Sequence, residues 1–117
     1  MTVVRHSKEF AAWLESLEAT ERELVHRVVT LLEMQGVVLG APYSSALRGA
    51  GFPLGELRPR GGASPLRVLY AFDPRREALI LLGGNKATEA SFYRRAIACA
   101  GTIWVAHLKR LTREDRS

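Results

Sequence analysis

The sequence lacks the features that mark several large classes of protein. It has a single cysteine, Cys99, so no disulfide can form within the chain and nothing indicates an oxidising compartment. No apolar stretch approaches the roughly 18 residues that a membrane helix needs. The first ten residues include three charged side chains and no apolar run of signal-peptide length. We therefore expect a soluble, cytoplasmic protein without membrane contact.

The common catalytic and ligand-binding motifs are also missing. His6, His26 and His107 are far apart and lack metal-ligand spacing, so we expect them at surface or capping positions. The segment Gly83–Lys86 resembles a phosphate-binding loop only superficially, because it lacks the four-residue gap and the hydroxyl residue after the lysine. Cys99, between two alanines of a predicted helix, is expected to be a buried, inert thiol. The sequence predicts neither a metal nor a cofactor.

Positive charge is what the sequence has in excess, and it is unevenly distributed. The 117 residues carry a net charge of +5 and are 47% hydrophobic, which fits one globular domain over residues 1–117. Counting side chains gives a charge of −2 for residues 1–36 and +7 for residues 37–117. A basic second part indicates a polyanion or an acidic protein as partner.

Hydrophobic periodicity predicts the order strand, two helices, three strands, helix. Ser7 is a predicted N-cap for the first helix, a capping box at Thr20–Glu23 opens the second, and Thr88 caps the third. The predicted strands are Met1–Arg5, Leu54–Arg60, Leu66–Phe72 and Ala78–Gly84, and the predicted helices cover residues 8–18, about 20–35 and Glu89–Leu111.

These elements predict an α+β fold with a mainly antiparallel sheet, because tight turns join the last three strands. The tight turns are a hairpin loop at Gly61–Pro65 and a turn at Asp73–Arg76. The first two helices are expected to pack as a hairpin on one face of the sheet. Within the second strand, Leu57 should point inward, and Glu56 and Arg58 outward.

Cationic side chains on the strands are the candidate functional residues. Arg67 lies in an otherwise apolar strand, where a charge is costly unless it faces a cleft or a partner. Lys86 follows the last strand. Antiparallel pairing predicts that one concave face carries Arg58, Arg60, Arg67 and Lys86. Tyr93, Arg94 and Arg95 of the last helix are expected next to this face. Arg48 is a further candidate for RNA contact.

Such a group suits metal-free RNA cleavage, in which the 2′-oxygen attacks the adjacent phosphate. Guanidinium and ammonium groups neutralise the charge of the phosphorane, and a tyrosine, lysine or histidine can move protons. The residues Arg58, Arg67, Lys86 and Tyr93 are therefore predicted to be catalytic, and Arg48, Arg60, Arg94 and Arg95 to bind RNA.

An ordered series of segments resembles the RelE/ParE superfamily of toxins, in its HigB-like or phage Gp49-like branch. The segments are Leu54–Arg58, Leu66–Phe72 and Ile80–Lys86, which match the branch patterns "glyELR", "yRvly.fd" and "lhgf.KK". By position, Arg58, Arg67 and Lys86 match basic residues of these patterns, and Tyr93, or Phe92 in the neighbouring register, matches a tyrosine of the last helix.

Three departures from the pattern accompany these matches. Leu54 and Glu56 stand where RelE toxins have a lysine pair, and Asn85 stands where many relatives have a lysine. A C-terminal catalytic histidine has no secure match, because His107 lies too far into the helix. The resemblance therefore leaves the acid and the base unassigned.

The resemblance implies a microbial-ribonuclease-like fold and cleavage of mRNA on the ribosome. It also implies a cognate antitoxin, in this branch usually a helix-turn-helix protein of the HigA kind, with operator DNA contacted only through that antitoxin. Two other hypotheses remain open: a ParE-like inhibitor of DNA gyrase, and a catalytically decayed Gp49-like protein that only binds its antitoxin.

Overall fold

A computed structural model describes residues 1–61 and 65–116 of the chain. These described residues form three helices and five strands, with one short 3-10 turn at Gly36–Val38. In chain order the elements are β1 (Val4–His6), α1 (Lys8–Ser16), α2 (Ala19–Gln35), β2 (Ser44–Ala46), β3 (Leu54–Leu57), β4 (Leu66–Phe72), β5 (Ala78–Asn85) and α3 (Phe92–Arg116). Part of the predicted hairpin loop at Gly61–Pro65, residues 62–64, lies outside the described residues.

The five strands form one sheet in the order β1-β5-β4-β3-β2. Strand β1 pairs with β5 in parallel, and the other neighbours are antiparallel. The predicted α+β class and mainly antiparallel sheet are confirmed. Strand β2 was not predicted, because its sequence Ser44-Ser45-Ala46 has none of the β-branched or aromatic residues that favour strands.

Helices cover both faces of the sheet. On one face, Phe10 of α1 and Val25, Val28 and Leu32 of α2 pack against strand residues such as Ile80. On the other face, α3 packs against a separate set of strand residues, which includes Leu54, Leu69, Ala71, Leu79 and Leu81. The predicted helical hairpin on one face is confirmed, and the sheet lies between two apolar layers.

Local hydrogen bonds explain where the helices begin. The Phe10 N–H donates to Ser7 Oγ at 3.0 Å, which confirms the predicted cap of α1. The capping box at Thr20 is wrong, because α2 already begins at Ala19, with Glu18 in the capping position. The cap at Thr88 is also wrong: turns occupy the residues after β5, Ser91 has a positive φ of 57°, and α3 begins only at Phe92.

Several expectations about burial are corrected. Cys99 is exposed, since it lies on the outer side of α3. His107 is buried rather than on the surface. The buried side of α3 includes Phe92, Ala96 and Ile103, whereas the apolar residues Tyr93, Ile97 and Leu108 are only partly covered.

Two adjacent glycines of β5 let the helices of both faces approach the sheet. A Cβ atom at Gly83 would collide with the ring of Trp13 in α1, and one at Gly84 with the ring of Phe92 in α3. The glycine pair therefore serves packing. Within the described residues, no helix is long and apolar enough to cross a membrane.

Candidate functional site

The α3 face of the sheet carries a group of charged residues at one end of β3 and β4. Side chains alternate between faces along a strand. Glu56 therefore shares the face of Leu54, and Arg67 shares the face of Leu69, both of which pack against α3. Two further residues lie beside Glu56 and Arg67: Arg58, just beyond β3, and Tyr93, in the first turn of α3. We call these four residues the Glu56 cluster.

Glu56 is the centre of this cluster. Its side chain is 1% exposed, and its Oε1 atom lies 3.0 Å from Arg58 Nε and 3.8 Å from Arg67 Nε. The Arg67 side chain is 15% exposed and also donates from a terminal guanidinium nitrogen to the Leu66 carbonyl at 2.7 Å. A buried carboxylate needs such partners, because an unpaired buried charge is strongly destabilising. One carboxylate thus orients two guanidinium groups.

Tyr93 completes the cluster from the helix side. Burial is the main factor that raises the pKa of Tyr93, and interaction with the Glu56 carboxylate raises it further, whereas Arg67 acts in the opposite direction. The phenol therefore keeps its proton through the neutral range. A tyrosine in this state can donate a proton to a developing oxyanion, but it is a poor proton acceptor.

The cluster has unused hydrogen-bonding capacity. Glu56 Oε2 and Arg67 Nε are buried and have no hydrogen-bond partner within the described parts of the chain. Each such group typically costs about 1–3 kcal/mol of stability.

Lys86 lies at the same end of the sheet but outside the cluster. Arg67 pairs with Gly84 in the β4–β5 register, and the Lys86 N–H donates to the Pro65 carbonyl at 3.2 Å. Its side chain is exposed, and no ion pair of Lys86 occurs among the residues described. The lysine therefore flanks the cluster. Arg94 and Arg95 are exposed next to Tyr93, and Arg95 Nη2 lies 4.0 Å from Glu89 Oε2.

Two of the predicted cations are placed elsewhere. Arg60 was expected on the face of Arg58, but β3 ends at Leu57, so alternation along a strand no longer applies. Arg60 instead borders a groove of about 490 Å³ beside α2, together with Leu24 and Tyr43. Arg48 is exposed at the other end of β3, since the preceding Leu47 N–H donates to the Leu54 carbonyl. Of the four cations predicted to share one face, Arg58 and Arg67 lie together beside Glu56, and Lys86 flanks them.

Glu56 is the member of the cluster that sequence reasoning missed. It was expected to point outward to solvent, and this is wrong, because α3 covers the face toward which it points. A signal was available: the predicted third helix has an apolar stripe, which requires a sheet face to pack on. That requirement leaves no solvent-facing side for the middle of β3. Of the two neighbouring aromatic residues, Phe92 is buried in the core and Tyr93 is only partly covered.

A second polar pair lies at the far end of the sheet. His107 Nε2 is 2.8 Å from Asp73 Oδ2, and both side chains are buried. Asp73 follows β4, six residues beyond Arg67, which corresponds to about 20 Å along a strand. His107 is therefore separate from the Glu56 cluster.

Solved structures of toxins share this fold. The RelE chain of the archaeal RelE–RelB complex from Pyrococcus horikoshii OT3 aligns with a TM-score of 0.58 and 20% identity over 75% of this chain and 98% of that one. The isolated E. coli RelE toxin aligns with a TM-score of 0.61 and 16% identity over 84% of this chain and 97% of that one. At these identities the likeness establishes a RelE-type fold.

Sequence comparison identifies the family. The sequence model of the family "Phage derived protein Gp49-like (DUF891)" matches residues 12–104, and the chain belongs to that family. It is 38% identical over 104 residues to "Putative toxin HigB2" of Mycobacterium tuberculosis strain H37Rv, covering 86% of this chain and 52% of that protein. It is 41% identical over 76 residues to "Putative toxin HigB3" of the same strain, covering 64% of this chain and 65% of that protein. The chain thus spans between half and two thirds of the length of these relatives.

Proposed function

We propose that this chain is the toxin of a type II toxin–antitoxin pair and that it cleaves mRNA on the ribosome, without a metal, through attack of the 2′-hydroxyl. The observation that carries the proposal is the Glu56 cluster. Two guanidinium groups and a protonated phenol lie together at one end of a RelE-type sheet. The likeness to proteins named as HigB toxins supports the same assignment.

Each side chain of the cluster has a role in this reaction. Arg67 and Arg58 stabilise the added negative charge of the phosphorane, which is the largest contribution that such a site makes. Tyr93, whose pKa is raised, donates a proton to the leaving 5′-oxygen, and the proton of the attacking 2′-hydroxyl passes to solvent water. Lys86, at the border of the cluster, contacts the neighbouring phosphate, and Arg94 and Arg95 hold the strand that enters.

Glu56 is a positioning residue in this proposal. Its burial keeps RNA from touching it in this conformation, and its Oε1 atom holds both guanidinium groups in place. Arginines oriented in advance do not have to reorganise during the reaction, which is the physical basis of electrostatic catalysis. The carboxylate also lowers the net charge of the resting cluster to +1, which helps Arg67 to remain buried.

The partners follow from the same assignment. One solved structure of this fold is a RelE–RelB complex, and we propose that a cognate antitoxin, a helix-turn-helix protein of the HigA kind, neutralises this chain in the cytoplasm. Operator DNA would be contacted only through that antitoxin. Arg48 and Arg60 lie away from the cluster, so any RNA contact they make is outside the cleavage site.

One observation favours a second candidate function. Glu56 pairs with both arginines, and the first turn of α3 covers the cluster. A chain that has lost cleavage and only binds its antitoxin would have no need of an open site. This decayed toxin differs from the nuclease in a single measurable property, the cutting of RNA.

Induction of the chain alone, with primer-extension mapping of cellular mRNA, tests the proposal. Growth arrest with new cuts inside translated frames is the expected result, and Arg67→Ala should remove both. Lys8→Ala, an exposed change on α1, is the matched control and should leave both intact. Arrest without cuts would contradict the nuclease and favour gyrase or another protein target. Absence of arrest would favour the decayed toxin.

A further inference from the structure

The outer side of α3 carries basic residues near both of its ends. From Phe92 to Arg113 the sequence has five basic residues and no acidic one. At about 100° per residue, the side of the helix opposite the buried Leu111 carries two groups of cations, one at each end. These are Arg94 and Arg95 near Tyr93, and Lys109, Arg113 and Arg116 in the last turns, all of them exposed. We call the second group the distal stripe.

An ion-pair arrangement keeps acidic side chains away from the distal stripe. Glu114 and Asp115 are the acidic residues of α3, and they continue the buried side of the helix past Leu111. Arg75, in the turn between β4 and β5, binds Glu114 at 2.8 Å and Asp115 at 2.9 Å. Both carboxylates are thereby drawn toward the sheet, and the outward side keeps its positive charge.

The surface between the two groups of cations indicates what kind of polyanion fits. Ala98, Thr102 and Val105 occupy it. Trp104 is buried and stacks on Phe52, which is itself partly covered, so the described part of this side has no fully exposed aromatic ring. Proteins that hold single-stranded RNA usually provide aromatic platforms for base stacking. Double-helical RNA is instead bound through its backbone and shape. A row of cations without aromatic residues therefore fits an RNA helix.

We propose that the distal stripe binds the phosphate backbone of double-helical RNA, at a place distinct from the cleavage site. The helical rise puts Lys109 about 21 Å from Arg95, and Arg116 about 33 Å from Arg94. One face of α3 thus contacts structured RNA at its C-terminal end, while its first turn supplies Tyr93 to the Glu56 cluster. The inference rests on the proposed function, in which structured RNA of the ribosome surrounds the mRNA.

Binding without cleavage tests this proposal separately from the nuclease. All proteins carry Arg67→Ala, so that no RNA is cut, and two probes are titrated at several salt concentrations: a short RNA duplex and purified ribosomes. The stripe variant adds Lys109→Ala and Arg116→Ala. The control adds Lys8→Ala and Arg27→Ala, two exposed residues of α1 and α2 on the opposite face of the sheet. The two variants lose the same charge.

We expect the stripe variant to bind both probes roughly tenfold more weakly at moderate salt, with the slope of log affinity against log salt reduced by about 1.4 to 1.8 for two lost contacts. The control should match the parent. Equal weakening in both variants would overturn the proposal, because only net charge would then matter. No binding of the parent to the duplex, or no change in the stripe variant, would also overturn it.

A further variant alters the field of the stripe without touching its residues. Arg75→Ala releases Glu114 and Asp115 and should weaken duplex binding in the same direction but to a smaller extent. Circular dichroism melts verify that each variant is folded. Failure of the chain to cut mRNA in cells would contradict the nuclease proposal. The duplex titration tests RNA binding by the distal stripe independently of cleavage.

Discussion

His107 Nε2 lies 2.8 Å from Asp73 Oδ2 and joins the second half of α3 to the turn after β4. Asp73 Oδ1 also accepts the backbone N–H groups of Arg75 and Glu77. The same carboxylate thus fixes the turn that carries Arg75 and the helix that carries the distal stripe. The pair is structural, since it is buried and far from the Glu56 cluster.

Loss of this pair should destabilise the domain. We expect His107→Ala to lower the free energy of unfolding by about 1–3 kcal/mol, because a buried carboxylate oxygen loses its partner. Urea unfolding at neutral pH measures the change. His107→Gln, which retains a donor, is the matched control and should lose less. Equal losses would contradict the importance of the hydrogen bond and leave ring packing against Trp104 as the cause.

The Asp73 carboxyl also predicts an acid dependence of stability. Burial acts to raise the pKa of Asp73, but the hydrogen bonds from His107 and the two backbone N–H groups outweigh it, so that the pKa lies below its usual value of 3.8. Because this pKa is lowered, the ionised Asp73 carboxylate contributes to the free energy of unfolding above pH 3.8. This contribution is lost as the pH falls through the pKa of the folded state. Urea midpoints measured from pH 6 down to pH 2 should fall more steeply for the parent than for His107→Ala. Parallel curves would contradict this account.

Arg67→Ala should relieve growth arrest while the fold remains. Glu56 keeps Arg58 as its partner at 3.0 Å, so the buried carboxylate is not left alone. Breaking a buried pair completely typically costs about 3–5 kcal/mol, and we expect a smaller loss here. Growth curves and thermal melts are measured together. An unfolded Arg67→Ala protein would remove the support that relief of arrest gives to catalysis.

Replacement of Glu56 by glutamine separates its positioning role from its charge. The pKa of Tyr93 is raised in part by the Glu56 carboxylate, so Glu56→Gln should shift that pKa downward, with burial still holding it above the usual value. Tyrosinate absorbance during an alkaline titration reports the shift. The Tyr93→Phe variant identifies the signal among the three tyrosines. An unchanged titration would show that Tyr93 and Glu56 do not interact in solution.

The complex with the antitoxin should weaken as salt is raised if the antitoxin covers the cationic end of the sheet. Exposed charge pairs are screened at high ionic strength, whereas apolar contacts are not. Titration calorimetry between low and high salt measures the effect, with Arg94→Ala as a variant that should reduce the salt dependence. An affinity that does not change with salt would place the interface on an apolar surface, such as the groove beside α2.

The parts of the fold with strong local signals could be predicted from the sequence. Strand β4 begins and ends where its run of branched and aromatic residues does, at Leu66 and Phe72, and Ser7 caps α1 through its own side chain. Strand β2 has no such signal, because its place depends on pairing with β3 and on the 2.6 Å hydrogen bond between Ser44 and Tyr70. Long-range contacts of this kind leave no periodicity in the sequence.

The sequence predicted two cations of the Glu56 cluster, Arg58 and Arg67, and missed its carboxylate. Arg67 is conspicuous as a charge within an apolar strand, and the structure places it beside Glu56 in the polar cluster. Glu56 and Arg58 flank Leu57, which is the pattern of a strand with one exposed face, so the burial of Glu56 depends on a helix that follows about 35 residues later in the chain. Arg60 was misplaced for a different reason: the alternation of side chains between faces was applied beyond Leu57, where β3 ends.

The two glycines of β5 allow the two sides of the molecule to be altered independently, because each glycine contacts a different helix. Trp13 of the helical hairpin rests on Gly83, and Phe92, the neighbour of Tyr93, rests on Gly84. A methyl group added at position 83 would push on α1 alone, whereas one added at position 84 would push on the first turn of α3. A single carbon atom therefore offers a way to lift that turn off the Glu56 cluster while the hairpin stays where it is, and the size of the residue at position 84 becomes a control over access to the arginines.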